Sequence, residues 1–307
     1  MKTADMKNRR HAPPKAGAMI EALRGLGYNT ATAISDLIDN SIAARATTVN
    51  LNFLWSGKSS SSVSLDDGRG MDGDELDHAM RLGAINPLTV RSAGDLGRFG
   101  MGLKTASFSQ CRRLTVTSRK QGDTNCLRWD LDMFTQSDDD GWYMLEGPAK
   151  GSEALARLPD SLGHGTIVLW EELDRIVSPG FKEQNFLNLI DHVEAHLAMV
   201  FHRFLEGPKP QLKILINDLP VRAWNPFLPN HAATWCSPAV PINSGGNVVE
   251  VQGYVLPHRD RLDREEYENA AGSDGWTAQQ GFYVYRNKRL LVAGSWLGLG
   301  QNRAWTK

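Results

Sequence analysis

A glycine-rich stretch, GRFGMGLKTAS at positions 97–107, has the composition of a phosphate-binding turn. Gly97, Gly100 and Gly102 precede what reads as a helix, and Lys104 stands in its first turn. Backbone N–H groups at the start of a helix are unpaired and carry the positive end of its dipole, so glycines there let phosphate oxygens approach closely. The stretch predicts phosphate binding, with a flexible loop before a helix as the alternative.

A second group of polar side chains stands on a segment with helical periodicity. Residues 30–46 predict an amphipathic helix. Asp36 and Asn40 lie four residues apart, so they point the same way from adjacent turns, and Asp39 lies three residues from Asp36. The apolar stripe of this helix consists of Ile34, Leu37, Ile38 and Ile42.

The other predicted elements place these groups in a mixed α+β chain. Alternating residues 48–54 predict a half-buried strand, and residues 83–97 predict a loop long enough to move as a lid. A polar arm, residues 1–15, precedes the first helix. Further helices are predicted at 16–26, 73–82 and 182–205, and further strands at 63–65, 114–118, 127–132, 163–169, 212–217, 248–256, 281–285 and 289–292.

Composition restricts the class of protein and its surroundings. The chain has 307 residues, which suggests two domains, and its formal net charge of −1 gives no overall footprint for nucleic acid. Three cysteines without metal-ligand spacing fit reduced thiols in the cytoplasm. The sequence shows neither a signal peptide nor a membrane span, so we expect a cytoplasmic protein without a membrane partner.

Two short motifs, one like a P-loop and one with the spacing of metal-binding histidines, lack the neighbouring residues that those sites need. The GKS at positions 57–59 lacks the earlier glycine of a P-loop, because Asn52 stands there inside a strand. His192 and His196 have the spacing of metal ligands, but no glutamate follows His192 and no third ligand is evident, so solvated histidines are the expectation.

Four segments in this order resemble the ATP-binding fold shared by the gyrase B subunit, the ninety-kilodalton heat-shock chaperone, sensor histidine kinases and MutL, the GHKL superfamily. They are DLIDNSIAA at 36–44, DDGRGM at 66–71, GRFGMGLK at 97–104, and GT at 165–166. The resemblance covers about the first 170 residues. The resemblance looks strongest to the MORC-like bacterial branch, because of LDDGRGM at 65–71, MRLGA at 80–84 and YRNKRL at 285–290.

The resemblance implies a Bergerat-type α/β sandwich that binds ATP and Mg²⁺. Asn40 is then the Mg²⁺ ligand, because Mg²⁺ prefers oxygen ligands and keeps waters and substrate phosphates, and Asp36 is the base for the attacking water. Asp66 accepts a hydrogen bond from the adenine amino group, supported by Thr166. The remaining implied nucleotide-binding residues are Ala44, Gly68, Gly70, Met71, Gly97, Arg98, Phe99, Gly100, Met101, Gly102, Leu103 and Lys104.

The resemblance also implies the domain organisation. We expect an ATP-binding domain at 1–178 and a transducer-like α+β domain at 179–307, truncated at its C-terminal end. In clamp-type relatives a transducer lysine reaches the γ-phosphate. Lys288 is a weak candidate, since RNKRL equally suits an exposed hairpin turn.

Three functions compete at this point. The favoured one is a slow ATPase whose nucleotide closes the lid and joins two protomers as a clamp, with a DNA or protein client. Most hydrolysing relatives carry glutamate where this chain has Asp36, and Asp39 is an alternative base on the same helix, so a non-hydrolysing ATP sensor that recruits a partner is the second. A histidine kinase is disfavoured, because only His11 precedes the helical box.

Overall fold

The described chain forms two compact units. The first contains the described residues up to Val193 together with Leu212–Pro220, and the second contains Glu194–Gln211 and the described residues from Val221 onward. The chain therefore leaves the first unit after Val193 and returns to it for one short segment. The computed structural model describes residues 12, 14–25, 27–84, 102–136, 141–272 and 275–299.

An eight-stranded sheet forms the centre of the first unit. Its strands are β1 (Thr48–Leu54), β2 (Ser61–Asp66), β3 (Arg113–Lys120), β4 (Asp123–Asp130), β5 (Leu145–Glu146), β6 (Gly165–Glu171), β7 (Lys213–Ile216) and β8 (Leu219–Pro220). They lie in the order β5-β4-β3-β6-β2-β1-β7-β8, and every neighbouring pair is antiparallel except β1 and β7. The ends of β2 and β6 thus meet, with Asp66 opposite Thr166.

Helices of the first unit pack against this sheet and against one another. The second helix starts at a capping box in which the Asn29 side chain accepts from the Thr32 backbone, a feature that stabilises a helix by about 1 kcal/mol. Ile34, Leu37 and Ile38 of its apolar stripe are buried, and Ile42 is half-buried. The helices are α1 (Ala16–Arg24), α2 (Thr30–Ala43), α3 (Gly73–Met80), α4 (Gly102–Phe108), α5 (Met133–Gln136) and α6 (Glu183–Val200), of which α6 crosses the boundary between the units.

Strand β6 is buried on both faces. Ile167 and Leu169 pack in a cluster with Val63 and Leu158, while Trp170 points the other way and donates to the Ser107 hydroxyl of α4 at 2.8 Å. Successive side chains of a strand point to opposite faces, so both must be apolar here. This explains the continuous apolar run GTIVLW instead of an alternating one.

The second unit consists of short strands and helices. Phe227 and Tyr254 stack with ring centroids 4.3 Å apart, and Tyr283 packs edge-on against Phe227. Its elements are α7 (His202–Leu205), β9 (Trp235–Cys236), β10 (Val240–Ser244), β11 (Asn247–Val251), β12 (Tyr254–Val255), α8 (Arg264–Ala271), β13 (Phe282–Arg286) and β14 (Arg289–Ser295). Strands β10 and β11 form one hairpin, β13 and β14 form another, and β9 pairs with β12.

The predicted fold class is confirmed. The chain is α+β, with an α/β sandwich followed by further α+β elements. Strand β7 falls within the range expected for the second domain, 179–307, but it pairs in parallel with β1 in the first unit. Among the described helices, none is long and apolar enough to cross a bilayer.

Candidate functional site

Helix α2 presents its polar face beside α4. The side chain of Asp36 is half-buried and that of Asn40 is exposed, whereas the intervening Leu37 and Ile38 are buried. The helical period thus separates a covered apolar side from an accessible polar side. A carboxylate and an amide are placed where a ligand can reach them.

The carboxylate of Asp36 is held by two neighbouring segments. The Tyr28 hydroxyl donates to its Oδ2 atom at 2.7 Å. Gly102, the first residue of α4, is so close that a Cβ atom there would lie 3.5 Å from Oδ2. The structure therefore brings the helical box beside the end of the second glycine box.

Asp66 is a buried carboxylate at the end of β2. It is 8% exposed, and it accepts hydrogen bonds from the Ser41 hydroxyl at 2.8 Å and from the Gly68 N–H at 2.9 Å. Burial raises the pKa of Asp66 above its ordinary value, although the hydrogen bonds from Gly68 and Ser41 oppose that shift. A carboxylate offers about four acceptor sites, so Asp66 can accept from a ligand amino group as well.

The first glycine box needs its glycines for contact with other backbone segments. A Cβ atom at Gly68 would lie 2.8 Å from the Ala44 Cβ, and one at Gly70, where φ is 67°, would lie 1.8 Å from the Arg119 carbonyl oxygen. Glycine is the residue that tolerates both a positive φ and such an approach. The box is consequently fixed against α2 on one side and β3 on the other.

Substituting Gly70 with alanine is expected to lower the free energy of unfolding by roughly 3 kcal/mol or more, because the new methyl group overlaps a backbone oxygen. Urea unfolding followed by circular dichroism measures this. Gly57→Ala is the matched control, since Gly57 also has a positive φ, 57°, but nothing lies within 4 Å of the point that a Cβ atom would occupy there. Its expected cost is about 1 kcal/mol, and equal costs for the two variants would contradict the contact at Gly70.

Ser118 of β3 links two predicted site residues, Met71 and Thr166, and it was not identified from the sequence. Its hydroxyl accepts from the Met71 N–H at 2.8 Å and lies 2.8 Å from the Thr166 hydroxyl and 3.2 Å from the Gly165 carbonyl. These bonds tie the end of the first glycine box to the GT segment. Ser118 faces Thr166 across the β3–β6 pair, a register that no local pattern indicates.

Lys104 contacts protein carbonyls. Its amine donates to the carbonyls of Ala79 at 2.7 Å and Arg81 at 2.8 Å, at the C-terminal end of α3, where unpaired carbonyls attract a cation. Burial lowers the pKa of Lys104 to about 8. Its predicted position beneath the phosphates stays a prediction.

Part of the predicted site lies outside the described residues. This applies to most of the predicted lid and to Gly97, Arg98, Phe99, Gly100 and Met101. Leu103 is described and half-buried. The second glycine box is thus placed by its last three positions.

Two further candidates are a metal site built from several side chains and Lys288. In the part of the chain that the structure describes, no three His, Cys, Asp or Glu side chains form a group able to hold a metal ion. Lys288 is exposed in the two-residue turn between β13 and β14, with positive φ at both Asn287 and Lys288. This agrees with the hairpin alternative for RNKRL.

Comparison with known proteins adds independent findings. A family model described as histidine kinase-, DNA gyrase B- and HSP90-like ATPase matches residues 28–165. The chain is 28% identical over 179 residues to ATPase morc-1 of Caenorhabditis elegans, covering 48% of this chain and 21% of that protein. It is 31% identical over 190 residues to the DNA mismatch repair protein MutL of Rhodospirillum rubrum, covering 61% of this chain and 26% of that protein. The chain therefore spans about a quarter or less of the length of these relatives.

Proposed function

Since this chain belongs to the GHKL superfamily of ATPases and is MORC-like, we propose that it hydrolyses ATP slowly with Mg²⁺ and uses the nucleotide to close a lid and join two protomers. The observation that supports the proposal is that one helix positions both the Asp36 and Asn40 side chains and the buried carboxylate of Asp66. Helix α2 holds Asp36 and Asn40 on its open face, and its Ser41 donates to the buried Asp66. A nucleotide can therefore meet a base-recognition group and a hydrolytic group together.

The adenine end of this proposed site is formed by Asp66 and its surroundings. The carboxylate accepts from the adenine amino group, and it disfavours guanine, which carries an acceptor at the same position. Thr166, ordered by Ser118 at 2.8 Å, supports the contact. Gly68 and Gly70 allow a close approach of the backbone, and Met71 supplies an apolar wall.

The phosphate end is formed by α2 and the second glycine box. Asn40 is exposed, and its amide oxygen suits Mg²⁺, whose role when bound would be to neutralise charge on the phosphate oxygens. Asp36 takes a proton from a water molecule as the water oxygen bonds to the γ-phosphorus. The bond to the β–γ bridging oxygen then breaks, and ADP leaves.

Clamp formation is tested by the mass of the full chain in solution. With Mg²⁺ and a non-hydrolysable ATP analogue we expect the mass of a dimer, and without nucleotide a smaller fraction of dimer. ADP serves as the matched ligand control, because it lacks the γ-phosphate. An unchanged mass with the analogue would contradict clamp formation while leaving ATP binding intact.

A non-hydrolysing ATP sensor is the second candidate. It is favoured by Asp36, whose side chain is one methylene shorter than the glutamate of most hydrolysing relatives. The sensor function requires that bound ATP persists and recruits a partner, so sustained phosphate release that depends on Asp36 would exclude it. In both cases the formal net charge of −1 gives a DNA client no support.

A further inference from the structure

Tyr28 directly precedes the capping residue of α2 and turns its ring back towards that helix. Its hydroxyl donates to Oδ2 of Asp36 at 2.7 Å, across eight residues of sequence. The capping box at Asn29 fixes the start of the helix and with it the position from which the phenol side chain departs. The contact is thus set by an ordered helix terminus.

The phenol has a second partner on α4. Thr105 is buried, and its side chain lies close enough to the phenol to oppose part of the rise in the Tyr28 pKa. Burial and the Asp36 carboxylate raise the pKa of Tyr28 to about 12, so the phenol keeps its proton and acts as a donor at neutral pH. The phenol therefore lies between Thr105 of α4 and the carboxylate of the helical box.

A fixed orientation matters more for an aspartate than for a glutamate at this position. The terminal torsion of an aspartate side chain is broad, so the carboxylate does not orient itself. A shorter side chain also reaches less far towards a water molecule, and an error of about 1 Å in position can reduce a rate about 100-fold. A donor on one carboxylate oxygen removes that rotational freedom.

We infer that Tyr28 is a positioning residue for ATP hydrolysis, which holds the Asp36 carboxylate in the orientation needed to take a proton from water. This inference rests on the proposed function of Asp36 as the base. Tyr28 acts through Asp36 and contacts neither ATP nor the attacking water. Thr105 lies beside the phenol, so replacing it has a smaller effect in the same direction.

The test is steady-state ATP hydrolysis by the full chain and its Tyr28→Phe variant, which lacks only the hydroxyl. We expect kcat to fall about tenfold, as for loss of one hydrogen bond to a charged group, with KM for ATP unchanged. Thr105→Val is expected to lower kcat less than Tyr28→Phe does. Tyr283→Phe is the matched control, because the Tyr283 hydroxyl donates to Gln279 in the second unit, and it should leave kcat unchanged.

A double-mutant cycle and a spectroscopic signal separate positioning from a merely structural role. In an Asp36→Asn background, Tyr28→Phe should cause no further loss of kcat. The ¹³C-carboxylate resonance that disappears in Asp36→Asn should shift in Tyr28→Phe and stay in place in Tyr283→Phe. This signal needs no hydrolysis, and Thr105→Val gives it a second variant if Tyr28→Phe fails to fold.

The results separate the role of Asp36 as the base from the role of Tyr28 as its positioning residue. If Asp36→Asn abolishes hydrolysis but Tyr28→Phe leaves both kcat and the Asp36 resonance unchanged, the inference is overturned and the proposed function stands. A rise in KM at unchanged kcat would also overturn it, since Tyr28 would then act in ATP binding. If Asp36→Asn hydrolyses ATP at the wild-type rate, the proposed base is wrong and the role of Tyr28 fails with it.

Discussion

Replacing Asp36 with asparagine is expected to lower the rate of ATP hydrolysis by about 100-fold to 10,000-fold, the usual contribution of a general base, while ATP still binds. The amide keeps nearly the shape of the carboxylate beside Gly102, but it cannot take a proton from water. Phosphate release at saturating ATP and Mg²⁺ measures the rate. Calorimetry with a non-hydrolysable analogue measures binding separately.

The matched control for this variant is Asp39→Asn, which changes a half-buried carboxylate on the same helix. We expect a nearly unchanged rate, because Asp39 lies about 60° around the helix from Asp36 and about 100° from Asn40, so it faces away from the side that Asp36 and Asn40 share. A large loss in Asp39→Asn together with a small one in Asp36→Asn would assign the base to Asp39. Binding of ATP without phosphate release by the wild-type chain would favour the non-hydrolysing sensor.

The parts of the fold that the sequence predicts well are those set by local periodicity. Strand β1 occupies Thr48–Leu54 as expected, because apolar and polar residues alternate there from Thr48 to Phe53. Helix α2 begins at Thr30 as expected, and it ends at Ala43, three residues before the predicted end. The four boxes give the order of the site along the chain. Local patterns and the order of the motifs therefore predict the elements that carry Asp36 and Asp66.

Contacts between distant segments were outside the reach of the sequence. Ser118 meets Met71 across 47 residues, and Lys104 meets Ala79 across 25, through pairings that only the folded sheet and helices define. Strand β7 follows a long helix, and nothing local says that it returns beside β1. Tyr28 stands before the helix, where no periodicity indicates the direction of its ring.

Two missed elements did carry readable signals. Helix α8 has the low apolar content of REEYENAA, but Asp263 and Glu266 form a capping box that marks its start. The second is strand β10, which pairs with β11, the strand that overlaps the predicted one at 248–256, through a turn at Gly245 and Gly246, a glycine pair typical of such turns. Helix α8 was missed because it lacks hydrophobic periodicity, and the strand before Gly245 was missed because the residues around the glycines are polar.

Replacing Asp66 with asparagine is expected to weaken ATP binding by about 100-fold, the effect of losing a charged hydrogen bond and gaining an unmatched donor. The Gly68 N–H holds one oxygen of the side chain, so the new amide nitrogen takes the place of Oδ2, near Ser41. In the proposed site that nitrogen opposes the adenine amino group and matches the guanine carbonyl. The preference for ATP over GTP should therefore fall together with the affinity for ATP.

The neighbouring Asp67→Asn variant is the control for the loss of one negative charge at this turn. Asp67 accepts from the backbone N–H groups of Thr47 and Thr48 and from the Thr47 hydroxyl, and none of these contacts involves the carboxylate of Asp66. We expect nucleotide affinity close to that of the wild type and a reduced stability. Titration of both variants with ATP and GTP analogues in one buffer separates recognition from charge. An equal loss of ATP affinity in both variants, or an unchanged preference for ATP over GTP in Asp66→Asn, would contradict adenine recognition by Asp66, because only a direct contact makes the choice of base depend on this one side chain.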